Sequence, residues 1–407
     1  MSKKISMSFM FIILFCLVII ILGIIKAQPK IKLIDINGSK VNIGNALFIS
    51  QKNNGFYCNT QSITSKDEFK FKNNSKLIQK ENKSIKGKYQ NDEVFKTSYD
   101  EDLRYYGKKN IGYIQNTGVV GEKNRINIFN KNLEDNSIKI YNLDVLLNNN
   151  TAFIQGLTVD IKDNDIYILC SQNKGENIDP NTGRTSSVDG LEINVYKFNL
   201  KSGESKKVGE FVQNKEIDDL ETYCFHYNRK LYSLITTYQN SKKDNIELFL
   251  IFYDIKENKI EKVKLSESKG NSSILKSAYK AEDYEVSFKV ENDKLYILNK
   301  NEDNEKYIKL EQYTINLKNN KIDKVNTYEV EKIKNISNIE SFRLIDKKLY
   351  LCLRSYDSEQ KTDYTDIEYK NIIVVLDEKS KETLYMGEYI EDLPELTDQF
   401  ILKTDEI

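Results

Sequence analysis

The chain has 407 residues, with 61 Lys and Arg against 61 Asp and Glu, one His, no Trp, three Pro and five Cys. The zero balance excludes the basic surplus of a nucleic-acid binder, and a single His excludes a multi-His metal centre. Only Arg104, Arg125, Arg184, Arg229, Arg343 and Arg354 are Arg, so the cationic surface is mostly Lys, which solvates more than it reads anions in pairs.

Residues 1–6 form a short tail carrying Lys3 and Lys4. Residues 7–25 are almost entirely apolar, about 29 Å as a helix, which suffices to cross a bilayer core. The reading is a transmembrane anchor with the tail in the cytoplasm and the long downstream part exported. The alternative is a cleaved signal peptide and a secreted product. Ala27 is small, but Ile25 spoils the A-x-A pattern, and the apolar run is long for such a signal. Cys16 follows Phe15 in mid-run, which speaks against lipidation. Cys58, Cys170, Cys224 and Cys352 then face an oxidising compartment. They match no C-x-x-C or zinc spacing and read as small hydrophobes in strands, with disulfides as the alternative.

Residues 26–44 read as a linker ending in a ring-closing strand, and residues 45–403 carry a repeat. A short apolar strand with a central tyrosine recurs at Tyr57, Tyr113, Tyr167, Tyr232, Tyr296 and Tyr350, at intervals of 54 to 65 residues. An alternating strand precedes each, through tight polar turns such as Asn228-Arg229, Asn292-Asp293 and Asp346-Lys347. A second hairpin follows each, clearest around Lys201-Ser-Gly, Lys256-Glu-Asn, Lys318-Asn-Asn and Glu378-Lys-Ser, with weaker copies beginning at Glu68 and Asn127. The unit is four antiparallel strands, A to D from first to last. One such sheet cannot cover its own two faces, whereas radial stacking of six covers them.

This all-β pattern resembles a β-propeller, in the style of TolB-like and other generic bacterial propellers, over about residues 31–403. The resemblance implies six four-stranded blades, with Ile31–Ile36 pairing with the last blade to close the ring. Seven blades is the runner-up, with Lys30–Ile36 and Thr397–Lys403 helping a further blade. A WD dipeptide, a kelch di-glycine pattern and an Asp-box are all missing, so no family function is carried over.

In such a sheet the A–B and C–D turns leave at one end, and the B–C and D–A connections at the other. Here the long connections are B–C (171–191, 237–245, 355–370) or D–A (81–101, 266–283, 326–335), so one face gathers them. Asp179, Asn181 and Asp189 lie in the most distinctive of these and offer oxygens to Ca²⁺, against an ordinary Pro180-Gly183 turn. Arg104, Arg184 and Arg354 lie on or beside the same face and could read a carboxylate or phosphate, against local ion pairs. Tyr356 and Asp366 flank the last B–C connection, and the run 99–106 leads acidic and aromatic residues into the second A strand. His226 reads as structural, and the repeated tyrosines as blade packing. There is no G-x-S-x-G elbow and no Gly-rich phosphate loop.

The expected role is a binding or scaffold module at the cell membrane, its long-connection face engaging a protein or a cell-envelope polymer. The rival is a propeller hydrolase or lyase on envelope glycan or phosphoester, metal-dependent or not. A sensor relaying through the short tail ranks last.

Overall fold

A computed structural model describes residues 33–53, 58–65, 72–73, 92–95, 103–117, 124–145, 154–173, 176–178, 185–214, 219–239, 245–269, 286–301, 307–331, 336–356, 369–390 and 398–403. The apolar run 7–25 lies outside them. Among the described residues no helix is long and apolar enough to cross a membrane.

The chain is all-β. Its principal sheets are antiparallel and follow chain order. The second sheet joins Arg104–Tyr106, Asn110–Asn116, Asn124–Asn132 and Ile138–Val145; the third joins Ile154–Lys162, Asp165–Asn173, Leu191–Asn199 and Ser205–Gln213. The fourth joins Asp219–Tyr227, Lys230–Gln239, Asn245–Asp254 and Lys259–Lys269; the fifth joins Val286–Glu291, Lys294–Asn301, Tyr307–Asn316 and Lys321–Glu331. The sixth joins Ile336–Ile345, Lys348–Tyr356, Tyr369–Asp377 and Thr383–Ile390, with Leu33–Gly38 as a fifth, outer strand. The first sheet is assembled from both ends of the chain: Asp398–Lys403 supplies its A strand, ahead of Ala46–Asn53, Cys58–Ile63 and Lys72–Asn73.

Apolar side chains on successive sheets interlock face to face, which is how a β-propeller buries its blades. Cys170, Ile166 and Ile168 of the third sheet meet Ile126, Ile128 and Leu143 of the second. Tyr167 and Leu169, on the opposite face, meet Leu231 and Tyr253 of the fourth. Tyr232 and Phe252 pack against Leu295 and Tyr313 of the fifth, and Leu298 and Tyr328 against Leu349 and Leu351 of the sixth. Tyr350 and Ile373 then meet Phe48 and Ile401 of the first. The recurring tyrosines are therefore packing groups: Tyr167, Tyr232 and Tyr350 are all buried.

Two copies of the repeat depart from the sequence reading. In the first, Tyr57 lies outside the described residues, Cys58 opens the third strand, and the second strand is Ala46–Asn53. Its neighbour comes from the far end of the chain, so no hairpin turn announces it. In the second, Gly112 occupies the tyrosine position and Tyr113 faces the other way, toward Val94 and Phe95. A Cβ on Gly112 would fall 2.4 Å from Tyr105 Oη and 1.9 Å from the Phe129 carbonyl oxygen. The Tyr105 ring from the adjacent strand fills that space, and its hydroxyl donates to Phe129 O at 3.0 Å.

The short-turn end is heavily cross-linked. Asn228-Arg229, Asn292-Asp293 and Asp346-Lys347 all have positive φ at both positions, the two-residue turn that suits twisted strands. An Asx side chain closing the C strand caps the next turn: Asn132, Asn199, Asp254, Asn316 and Asp377 each accept a backbone N–H two residues on. The residue after it donates its own N–H to the A–B turn of the same sheet, in Leu133, Leu200, Ile255, Leu317 and Glu378, at 2.8–3.1 Å.

These carboxylates make stability acid-sensitive. The N–H groups of Ser380 and Lys379 hold Asp377 below the usual carboxylate range, and Lys318 does so for Asp293. Burial alone would raise Asp254, but the N–H groups of Glu257 and Lys256, with Lys230, bring it below. A carboxyl depressed in the folded state stabilises above its unfolded pKa and ceases to do so as pH falls through the folded one. The melting temperature should therefore hold from pH 7 to about 5 and drop as pH falls below about 4. Asp254→Asn should flatten that drop; an unchanged acid limb in the variant would remove this account.

Candidate functional site

The two ends of the sheets differ in how they are held. At the short-turn end, neighbouring sheets are tied by side chains. Arg229 Nη1 reaches Asp160 Oδ1 at 3.0 Å between the third and fourth. Tyr227 Oη donates to Asp293 Oδ1 at 3.2 Å between the fourth and fifth. Arg343 holds Glu291 of the fifth at 2.6 Å and the Ile401 carbonyl of the first at 3.3 Å. The N-terminal turn joins in, as Lys348 Nζ donates to Asn42 O at 3.0 Å.

The B–C and D–A connections leave from the other end. Several are shorter than the sequence reading has them, because strands continue into them: to Lys269 in the fourth sheet, Glu331 in the fifth and Tyr356 in the sixth. The connection from 174 to 190 contains its own two-stranded hairpin, Glu176–Ile178 with Thr185–Val188. Alternation within a strand looks like loop polarity when its ends carry Ser, Asn and Lys.

The candidate residues scatter over this end. Asp179, Asn181, Arg184 and Asp366 lie outside the described residues. Asp189 is exposed beside the hairpin. Tyr356 is the last residue of its strand. Arg104 stands half-buried in the second A strand with its guanidinium 5.1 Å from the Phe95 ring centroid. Arg354 belongs to a strand interior and is buried; its Nη1 lies 3.1 Å from Glu340 Oε1 and its Nε donates to Asn371 Oδ1 at 3.4 Å. Its guanidinium is thus engaged within the sixth sheet instead of standing open on a loop. His226 is half-buried, with Nδ1 3.5 Å from Thr158 Oγ1. Among the described residues no three His, Cys, Asp or Glu side chains gather as a metal site.

Sequence reasoning passed over a second group. Gln172, Glu192 and Asn194 are 0%, 2% and 1% exposed at the long-connection end of the third sheet. Gln172 pairs directly with Glu192 across the strands, and Asn194 follows two places on. All three share the face that carries Cys170 toward the second sheet, since Leu191, Ile193 and Val195 take the other. Asn194 Nδ2 donates to Glu192 Oε1 at 2.7 Å, which turns Asn194 Oδ1 away. Burial raises the Tyr196 phenol on this face, with the Glu192 carboxylate adding to it. No signal set this group apart in the sequence, because the matching positions of the later sheets are polar too: Thr237 opposite Glu247, Asn301 opposite Lys309 and Ser355 opposite Lys370.

The outer rim offers a shallow groove between the third and fourth sheets, lined by Phe211, Gln213, Phe249 and Lys262. Lys262 Nζ lies 3.7 Å from the Phe249 ring centroid and donates to Gln213 Oε1 at 3.0 Å, so that cation is already satisfied.

No family model matches the sequence, and no curated protein matches it. Among solved structures, the WD40 domain of SCAP from fission yeast is 9% identical over 91% of this chain and 89% of its own, with a TM-score of 0.30. Trypanosoma rangeli sialidase is 8% identical over 72% of this chain and 54% of its own, with a TM-score of 0.32. A GH43B protein of a Bacteroides ovatus xyloglucan locus is 11% identical over 57% of this chain and 40% of its own, with a TM-score of 0.27. The chain thus spans about half the length of these last two or less, and the propeller assignment rests on its own strand order and sheet packing.

Proposed function

We propose that the chain is a membrane-anchored, extracytoplasmic propeller of six blades that works as a binding module through its long-connection face. Residues 7–25 serve as the anchor. The observation that carries this reading is the inequality of the two ends. One is closed by two-residue turns and inter-sheet ties from Arg229, Tyr227 and Arg343. The other releases the connections 174–190, 270–285, 357–368 and 391–397. A rigid scaffold with variable connections at one end is the arrangement on which recognition surfaces are built. The partner is a protein or an envelope polymer.

The test is crosslinking on intact cells of the native host, with two control chains. One has 174–190 and 357–368 replaced by Gly/Ser, the other has the turns at Asn292-Asp293 and Lys318-Asn320 altered. Proteins captured by the native chain and the turn variant, yet lost with the replaced connections, support the module. Equal capture by all three removes the long-connection face. Capture of glycan alone moves the reading to an enzyme acting on it.

A further inference from the structure

Gln172 is fully buried, and neither its Oε1 nor its Nε2 has a hydrogen-bond partner. Asn194 Oδ1, two residues along the facing strand, is buried and unpartnered as well. Gln155 adds a third such oxygen: it is the residue that the neighbouring strand inserts where its register slips between Ser171 and Gln172. A buried amide left unmet costs about 1–3 kcal/mol, and such groups are rare enough in folded proteins that each asks for an occupant.

The surplus is one of oxygens. The amide carbonyls of Gln172 and Asn194 share one face of the sheet with the carboxylate of Glu192, which already takes the Asn194 amide hydrogen and so fixes which way that amide faces. The unmet acceptors are oxygens, and the Cys170 sulfur on the same face packs into the apolar cluster with the second sheet, which disfavours zinc and its neighbours. Neutral carbonyls mixed with a single carboxylate suit a hard cation of flexible geometry, Ca²⁺, more than Mg²⁺, which keeps its waters and wants an octahedron. We propose that Gln172, Glu192 and Asn194 hold a Ca²⁺ ion on the face of the third sheet toward the second. Gln172 and Glu192 lie one residue inside Asn173 and Leu191, the strand ends that bracket the connection 174–190, so the ion fastens the base of the most elaborate connection on the proposed recognition face. The site is separate from the sequence-level candidates Asp179, Asn181 and Asp189, and its existence does not depend on what that face binds.

The experiment uses the full chain in detergent, stripped with a chelator and then titrated with CaCl₂, read by equilibrium dialysis and by melting temperature. One ion per chain is expected to bind with a dissociation constant in the range of extracellular modules, roughly 0.1–1 mM, with a rise in melting temperature. Glu192→Gln should weaken binding roughly tenfold or more. Gln172→Leu should abolish the Ca²⁺-dependent rise while melting higher than the stripped native chain, because it removes an unmet buried amide. That opposite sign separates ligation from a merely structural role. Absence of Ca²⁺ binding to the native chain overturns the site. So does full binding in both variants, and so does loss of binding in Asp189→Asn with Glu192→Gln unaffected, which would move the ion to the connection itself.

Discussion

Replacing Arg343 by Leu is expected to destabilise the chain by about 3 kcal/mol, more than any exposed charge it carries. Arg343 is 8% exposed. Its Nη2 and Nε meet the two oxygens of Glu291 at 2.6 and 3.3 Å, and its Nη1 donates to Ile401 O at 3.3 Å. Those partners belong to the fifth and first sheets, while Arg343 itself belongs to the sixth. One side chain therefore ties three sheets at the place where the two ends of the chain meet. Breaking a buried pair on one side leaves its partner uncompensated, at a cost of about 3–5 kcal/mol. The low end applies because the Glu291 side chain keeps 25% of its surface exposed. Glu291→Leu in the Arg343→Leu background should restore part of the loss, giving a coupling of about 1 kcal/mol or more. Lys109→Ala removes a pair with Glu134 at 2.7 Å, yet both side chains are more than half exposed and solvent screens them, so the midpoint should barely move. Denaturant midpoints for the native chain, the three single variants at Arg343, Glu291 and Lys109, and the double variant check this. Equal losses from Arg343 and Lys109 would show that the three-sheet tie carries no more than a surface pair.

What could be read from the sequence follows from what is local. Turns such as Asn228-Arg229 and Asp346-Lys347 announce themselves because only a few residue types enter positive φ cheaply. The strands they join alternate, and the tyrosine that recurs in them marks the face toward the next sheet. Non-local features left no such trace. The first A strand lies some 350 residues from its partner, so nothing around Ala46 signals a hairpin. Gly112 broke the tyrosine pattern because a ring from the adjacent strand, Tyr105, took the space.

The functional face is legible only as a direction. Loop lengths point to it, since strand connectivity alone decides at which end each connection leaves. Which side chains act there depends on burial, which a single sequence does not encode. Arg354 looks like a free cation beside a loop and is a buried partner of Glu340. Gln172 and Asn194 look like strand-end polarity and prove to be buried with unmet oxygens. Cys170, Cys224 and Cys352 are buried thiols, as expected of small apolar strand residues, and burial raises the Cys170 thiol far above reactive range.

Removing residues from 398 onward should abolish the cooperative unfolding transition altogether. The strand Asp398–Lys403 pairs residue for residue with Ala46–Gln51. Ile401 is 1% exposed and packs with Phe48, Ile63, Tyr350 and Ile373, joining the sixth sheet to the first. Its loss uncovers the inner edge of Ala46–Asn53, a ready template for aggregation, and takes away the carbonyl that Arg343 Nη1 uses. Ile401→Ala alone should cost about 2–5 kcal/mol through the cavity it leaves. Leu33–Gly38 provides the contrast. It too joins distant parts of the chain, pairing with the last strand of the sixth sheet, but from outside and with most of its residues exposed. Breaking its main side-chain tie, Tyr385 Oη to Asp35 Oδ1 at 2.7 Å, by Asp35→Ala should leave a cooperative transition only modestly lowered. A synthetic peptide covering 396–407, added to the truncated chain, should restore the transition in proportion to its concentration. A truncated chain that still melts cooperatively near the native temperature would mean that the first sheet closes without its inner strand. The packing of Phe48 against Tyr350 and Ile373 would then suffice to hold the sixth sheet to the first.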